Sequence, residues 1–449
     1  MSVTPKVVVA AVPFVDTVRP MAAPAVLKAS LNANNVECVA IDFNVEIFNK
    51  IKHHPFKDKF FDFFYRQVIH DEVADEVAQM INYCADEILL HKPNIVGISL
   101  FCVDCQNFAS WLCAAIRQRD TNIKIVIGGP GLTAYDNTLG FTYPDHLKRR
   151  GLIDDYINGD GEESLVEYVK GNTLFPGINS TAWKPVDDLN LLPIPDYSDY
   201  KFFRYEHACI PIIDSRGCVQ SCDFCDVIVL WKKFQFLAAE RIFEQILFQM
   251  HKHKVAKFDF RSSITNGNLK EFKKLIKMIA DHNQDQSLFP SEHITWDGSF
   301  IIRRSNFYNE EFWSMLKQSN PDRLFVGVES VIERVRVDLG KNFTNQDLDN
   351  FLMMAQKHQV PLNLMFIGAY PGETVEDFEF AKQWFRDHKH YANNTVFAVQ
   401  ITKPQVLPGT ELEKKIDIDQ HHKEEDLRLS HIDELALTIR ECGFELLLI

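Results

Sequence analysis

The sequence predicts an α/β protein in two parts: an N-terminal doubly wound parallel sheet of Rossmann type, then a partial (β/α)6 TIM-like barrel with a short C-terminal tail. Three observations carry that prediction. Short β-branched runs recur with helical patterns between them, a spacing suited to parallel strands joined by right-handed crossovers. The alternation breaks once, over 171–201, into a stretch rich in Asn, Pro, Asp and Trp that reads as an ordered linker. It then resumes for six strand–helix units, which places the domains at 1–170 and 202–415 and the tail at 416–449.

The first strand is the buried run KVVVAAVP at 6–13, closed by proline. A helix over 22–33 and a second strand over 36–42 follow, then a helical segment over 56–92 that opens on the aromatic run FFDFFY. That run reads as core packing or as a helix lying over the sheet. Strand three, 95–100, contains Ser99, and strand four, 124–127, runs straight into Gly128, Gly129, Pro130 and Gly131. Glycines at the carboxyl end of a parallel strand let backbone approach a ligand, and doubly wound sheets bind ligands at that edge. The run from Asp155 to Leu165 reads as a fifth strand, a glycine loop and an acidic helix start, and contains Gly159, Gly161 and Glu162.

Cys102-x2-Cys105 lies just past strand three, with Cys113 nearby on the following helix. A redox pair and a second metal site are both readings of it. No second pair stands at zinc spacing, so local packing near a ligand is preferred.

In the second part, strands are expected at 210–214, 257–260, 294–296, 324–328, 362–367 and 396–401, with helices such as 269–282 and 377–388 between them. Barrel active sites sit at the carboxyl ends of strands, and three cysteines, Cys218, Cys222 and Cys225, follow the first strand there. Three thiolates within eight residues converge on one metal centre without help from distant chain. A cubic iron–sulfur cluster normally takes four cysteines, so three leave one iron open to chemistry. Structural zinc completed by Cys209 or His207 is an alternative, although such sites usually show two separated ligand pairs. Plain burial of the thiols is another.

Cys218-x3-Cys222-x2-Cys225, with Phe224 before the last cysteine, resembles the signature of the radical S-adenosylmethionine (SAM) superfamily. The context Asp214-Ser215-Arg216-Gly217 resembles the branch that carries an N-terminal cobalamin (B12)-binding domain. The resemblance implies a 4Fe-4S cluster whose open iron is chelated by the amino and carboxylate groups of SAM. One electron then splits SAM into methionine and a 5'-deoxyadenosyl radical that abstracts hydrogen. It also implies an electron donor of flavodoxin or ferredoxin type and a small-molecule or peptide substrate.

By the same resemblance Phe224 packs near the adenine, and Glu329, in a Gly-x-Glu-Ser match, meets the SAM ammonium or ribose. A salt bridge from Glu329 to a neighbouring arginine is the competing reading. Ser262, Trp296 and Arg303 are the further SAM candidates at strand ends, Ser262 standing where relatives often carry acidic residues. Gly368 to Thr374 and Pro408-Gly409-Thr410 resemble family turns, and Thr374 reads as a helix cap. Gly128, Gly129, Pro130, Gly159, Gly161 and Glu162, with Ser99, are similar to the strand ends that cradle the nucleotide tail of cobalamin. One departure is plain: no Asp-x-His-x-x-Gly supplies an axial histidine. A cobalamin held here lacks that protein ligand, or the domain has lost the cofactor.

The expected activity is therefore that of a radical SAM enzyme, with cobalamin-dependent methyl transfer to an unactivated carbon as its fuller form. A radical SAM enzyme without cobalamin and a zinc-stabilised binding module are the alternatives, and no catalytic side chain is assigned. The formal charge of -14 disfavours broad phosphate-backbone binding. No run of about eighteen apolar residues appears and the N-terminus does not open a signal peptide, so a cytoplasmic protein with no membrane contact is expected. Ten cysteines clustered in so long a chain fit a reducing compartment.

Overall fold

The computed structural model describes residues 5–13, 19–132, 142–304, 307–416 and 425–448. The chain divides into two compact units, Met1–Pro211 and Ile212–Ile449. Among the described residues no helix is long and apolar enough to cross a membrane.

The first unit is built on β1 (Val7–Ala11), β2 (Cys38–Asp42), β3 (Ile95–Ser99), β4 (Lys124–Gly128) and β5 (Asp155–Ile157). They form one parallel sheet in the order β2-β1-β3-β4-β5. Side chains of a strand alternate between faces, and β1 shows the result. Val7 and Val9 join the helices Ala22–Ala33 and Gly161–Val169 on one face, and Val8 and Ala10 join Phe43–Ile51, Lys57–Arg66, Asp71–Leu90 and Cys105–Arg119 on the other. Both faces are covered, so β1 is apolar throughout.

The helical segment expected over 56–92 is two helices, broken where Gln67 adopts a left-handed conformation at φ 57°. Phe60, Phe63 and Phe64 are buried, as core packing requires. The proline-rich segment folds onto the first unit. Lys28 Nζ pairs with Asp199 at 2.6 Å, Asp199 also accepts from Ala40 N at 2.8 Å, and Tyr200 OH donates to Met21 O at 2.7 Å. The loop after β1, in which the sequence shows no histidine, lies outside the described residues over 14–18.

The second sheet starts at β6 (Ile210–Ile212), and a two-residue antiparallel ladder of β7 (Ser215–Arg216) and β8 (Gln235–Phe236) follows. Then come β9 (Lys257–Phe260), β10 (Thr295–Phe300), β11 (Pro321–Glu329), β12 (Leu362–Ile367), β13 (Val396–Thr402) and β14 (Glu445–Leu448). Their order is β14-β13-β12-β11-β10-β9-β6, and the ladders from β9 to β14 are parallel. The six expected strands are present. The tail contributes a seventh, because Glu445–Leu448 pairs along β13 and stands in the sheet itself. Within that tail, residues 417–424 lie outside the described residues.

Candidate active site at the cysteine loop

The three cysteines occupy one loop that the fold clamps at both ends. At its base the β7–β8 ladder closes the loop, and Leu237 N donates to Asp214 O at 2.8 Å. Gly217 turns the chain at φ +76°, where a Cβ would stand 2.8 Å from Lys233 O. At its far side Asp223 N donates to Leu339 O at 3.1 Å, Leu412 N donates to Asp223 O at 2.8 Å, and Lys415 pairs with the Asp223 carboxylate at 2.5 Å. Gly340 packs against the same turn, since a Cβ there would lie 2.8 Å from Ser221 O. The loop is thus held by segments far along the chain, and the thiols inherit that rigidity.

Cys222 is buried, and Cys218 and Cys225 are half-buried. Burial pushes the Cys222 thiol up to about 11 against the pull of Lys341, and pushes Cys225 up to about 12; Cys218 adds to both rises and Cys222 to that of Cys225. Such thiols stay protonated at neutral pH until a cation displaces the protons. Among the described residues no three His, Cys, Asp or Glu side chains form a ready metal cage, so the loop brings the sulfurs into one neighbourhood and not onto one point. Three soft donors on one clamped loop, with no fourth cysteine on it, fit a cluster that keeps one iron free of protein ligand.

Beside the loop stands the residue that sequence reasoning missed. Lys341 Nζ lies 2.9 Å from Glu329 Oε1, 3.3 Å from Gly327 O and 6.0 Å from the Phe224 ring centroid. Burial opposes the charge of Lys341, yet Glu329 and the sulfurs of Cys222 and Cys218 hold its pKa above the ordinary value. Glu329 ends β11 at φ 65°, a left-handed conformation that non-glycine residues rarely adopt and that functional sites retain. Its partner is a lysine and not the neighbouring arginine of the competing reading. Arg336 is buried but donates to Ser330 O at 2.7 Å and stacks on Phe343. The local signal for Lys341 was slight: a lysine after a glycine, with nothing periodic about it.

A cavity of about 160 Å3 opens here, lined by Gln220 of the cysteine loop, Arg303, Gly327, Lys341 and Phe343. Arg303 is fixed over it by donating to Asn266 O at 3.0 Å and Gly267 O at 2.7 Å. The structure therefore gathers Phe224, Arg303 and Glu329 around Lys341 and the cysteine loop.

Trp296 is placed elsewhere. It is fully buried, its indole N–H donates to Ser319 O at 2.9 Å, and Phe260 and Phe272 pack edge-on against it, so it is a core residue with no face left for SAM. Ser262 is buried beside Asp214. Burial pushes the Asp214 carboxyl up to about 7, a hydrogen bond with Ser262 opposes the rise, and Asp259 adds to it.

A carboxyl whose pKa is raised on folding favours the protonated native state, so its contribution to stability falls as pH climbs from near 4 to near 7 and is level above that. Asp214→Asn is expected to flatten this part of the stability–pH curve, read from urea midpoints between pH 5 and 8. An unchanged curve would show that Asp214 titrates normally.

In the first unit, Ser99 and Gly128 are register partners at the carboxyl edge of the sheet. Gly129 turns at φ +106° because a Cβ would lie 2.4 Å from Leu100 O. The β5 loop packs closely against the protein's own chain. A Cβ on Gly159 would lie 2.2 Å from Lys184 O and one on Gly161 would lie 2.8 Å from Leu27 Cδ2, while Glu162 is 4% exposed. Asp160 N donates to Lys184 O at 2.8 Å and Lys184 N to Asn158 O at 3.1 Å, so the segment after the helix covers this loop.

With this geometry in hand, comparison with known proteins finds that residues 212–385 match the model of the radical SAM superfamily. An uncharacterized methyltransferase of Pyrococcus horikoshii is 24% identical over 371 residues, covering 76% of this chain and 74% of that protein. The structure of the radical SAM methyltransferase TsrM from Kitasatospora setae, with cobalamin and a [4Fe-4S] cluster bound, is similar with TM-score 0.68 at 15% identity, over 92% of this chain and 78% of that one. The cobalamin-dependent SAM radical enzyme OxsB with aqua-cobalamin bound is similar with TM-score 0.62 at 15% identity, over 92% of this chain and 55% of that one. At such identities the likeness to both structures is one of fold.

Proposed function

From the match of residues 212–385 to the radical SAM superfamily, we propose that this chain is a cobalamin-dependent radical SAM methyltransferase acting on a small molecule or peptide. The observation that carries the reading is the clamped cysteine loop with the buried Glu329–Lys341 pair beside it, opening on one cavity.

Cys218, Cys222 and Cys225 would hold the 4Fe-4S cluster, which supplies the electron that splits SAM. The roles of the neighbouring side chains follow from their chemistry. Lys341 is a buried cation suited to a carboxylate, and Glu329 is an anion suited to an ammonium or to ribose hydroxyls. Phe224 offers a ring face half-buried near both, and Arg303 brings a second cation to the cavity wall. Phe343 narrows the same cavity and displaces water from it.

Ser99, Gly128, Gly129 and Pro130 remain the residues of the first unit suited to a corrin, which when bound supplies a methyl carrier. A flavodoxin or ferredoxin in a reducing cytoplasm would deliver the electron. The second reading, radical chemistry without cobalamin, draws on the β5 loop: Gly159 and Gly161 are filled by Lys184 and Leu27, and no axial histidine motif is present.

Anaerobically reconstituted protein is expected to carry about four irons per chain and to release 5'-deoxyadenosine from SAM under a strong reductant. Purification with added cobalamin decides between the two readings. Retained corrin absorption and methyl transfer from labelled SAM support the first. Cluster and cleavage without retained corrin would leave the second, and one zinc per chain with no iron or sulfide would overturn both.

A further inference from the structure

Cys102 and Cys105 lie outside the chemistry above, in a part of the first unit whose backbone is tightly held. Cys105 N donates to Cys102 O at 3.2 Å and Gln106 N to Val103 O at 2.9 Å, so the two cysteines sit three apart on a closed turn at the start of the helix Cys105–Arg119. That turn carries residue 105 back over residue 102, within the Cα separation a disulfide spans. The turn is braced from β4: Gly131 N donates to Leu100 O at 3.0 Å, Gln106 Nε2 donates to Gly131 O at 2.7 Å, and a Cβ on Gly131 would lie 2.3 Å from Cys102 O.

The two sulfurs differ in access and in charge. Cys105 is fully buried, whereas Cys102 is half-buried and flanked by Phe101 at 53% exposure and Val103 at 41%. The thiols hydrogen-bond each other, which lowers the pKa of Cys105 with help from backbone N–H groups and raises that of Cys102. The Asp104 carboxylate, 3.9 Å from Cys102 Sγ, further disfavours a thiolate there. Cys113 on the same helix is fully buried and its thiol is pushed up to about 12, so it is a bystander.

We propose that Cys102 and Cys105 form a reactive dithiol that exchanges with disulfides of the glutathione or thioredoxin class. Only Cys102 is reachable from outside. The Cys105 sulfur, whose thiolate is the more favoured of the two, takes the proton of Cys102 as Cys102 Sγ attacks one sulfur of the incoming disulfide, the S–S bond breaks and one thiolate leaves. That thiolate takes the proton from Cys105, and the Cys105 sulfur then attacks Cys102 Sγ and displaces the second thiolate. Two protein thiols are oxidised to one disulfide, and one external disulfide is reduced to two thiols. The exposed apolar pair Phe101 and Val103 gives a protein disulfide something to rest on while the sulfurs meet.

The test uses the full chain, cluster-loaded under anaerobic conditions so that the three cluster cysteines are occupied, equilibrated with oxidised glutathione, acid-quenched, alkylated and mapped by mass spectrometry. Alkylation of Cys102 is expected to fall by about tenfold with a Cys102–Cys105 disulfide formed in its place. Cys113→Ser should behave as wild type, and Cys105→Ser should trap a glutathione adduct on Cys102. Cys102→Ser, at the half-exposed position, should leave Cys105 unmodified and covers the case in which Cys105→Ser fails to fold. Full alkylation of Cys102 and Cys105 after oxidised glutathione, or a disulfide that survives in Cys102→Ser, would overturn the assignment.

Discussion

Cys222→Ala protein is expected to emerge from anaerobic reconstitution nearly colourless, with iron falling from about four per chain to near zero and 5'-deoxyadenosine formation falling to background. Cys222 is the most buried of the three loop cysteines, at 6% exposure, and stands next to Asp223, whose backbone and carboxylate fasten the loop to Leu339, Leu412 and Lys415. Two remaining thiols cannot hold a cube that already lacks one protein ligand. The substitution removes a single sulfur from a loop that backbone hydrogen bonds and Asp223 fasten to Leu339, Leu412 and Lys415, so the cost to folding should be about 1 kcal/mol. Unchanged far-ultraviolet circular dichroism with lost iron is the expected pair of results. Retained iron and retained SAM cleavage would sink the cluster assignment.

Lys341→Met is expected to act on stability and on SAM together. Lys341 and Glu329 have side chains only 9% and 11% exposed, so removing the cation leaves a carboxylate buried without its ion pair. Breaking a buried pair in this way costs about 3 kcal/mol or more, whereas replacing both partners by neutral groups costs far less. The Lys341→Met/Glu329→Gln double variant should therefore recover most of the lost stability in chemical denaturation. If the pair serves SAM, the double variant will still bind SAM at least about tenfold more weakly, a loss of roughly 1.4 kcal/mol, measurable by calorimetry. Stability and SAM affinity recovering together would make the pair purely structural.

Legibility in the sequence follows the range of the interaction. The helix Ala22–Ala33 and the strands Lys257–Phe260 and Leu362–Ile367 stand at the expected residues, because hydrophobic periodicity is a property of a dozen neighbouring residues. Thr374 caps its helix by accepting from Asp377 N at 3.2 Å, a contact three residues long. The break at Gln67 was not legible, since the aromatic run and the residues after it read as one helical segment and only the left-handed turn separates them.

The site divides along the same line. The spacing of Cys218, Cys222 and Cys225 is local, and with the alternation of strand and helix it specified both the α/β class and the class of cofactor, because a metal centre held by one loop must be written within that loop. Which side chains surround it was decided only when the barrel strands came together. Glu329 and Lys341 meet across the end of β11, Trp296 turns into the core because its indole finds Ser319 O, and Glu445–Leu448 becomes a strand because β13 offers it an edge. Contacts between segments so far apart in the chain leave no periodic trace in the sequence. Burial, ion pairing and sheet edges are properties of the assembled surface, and they exist only once it has formed.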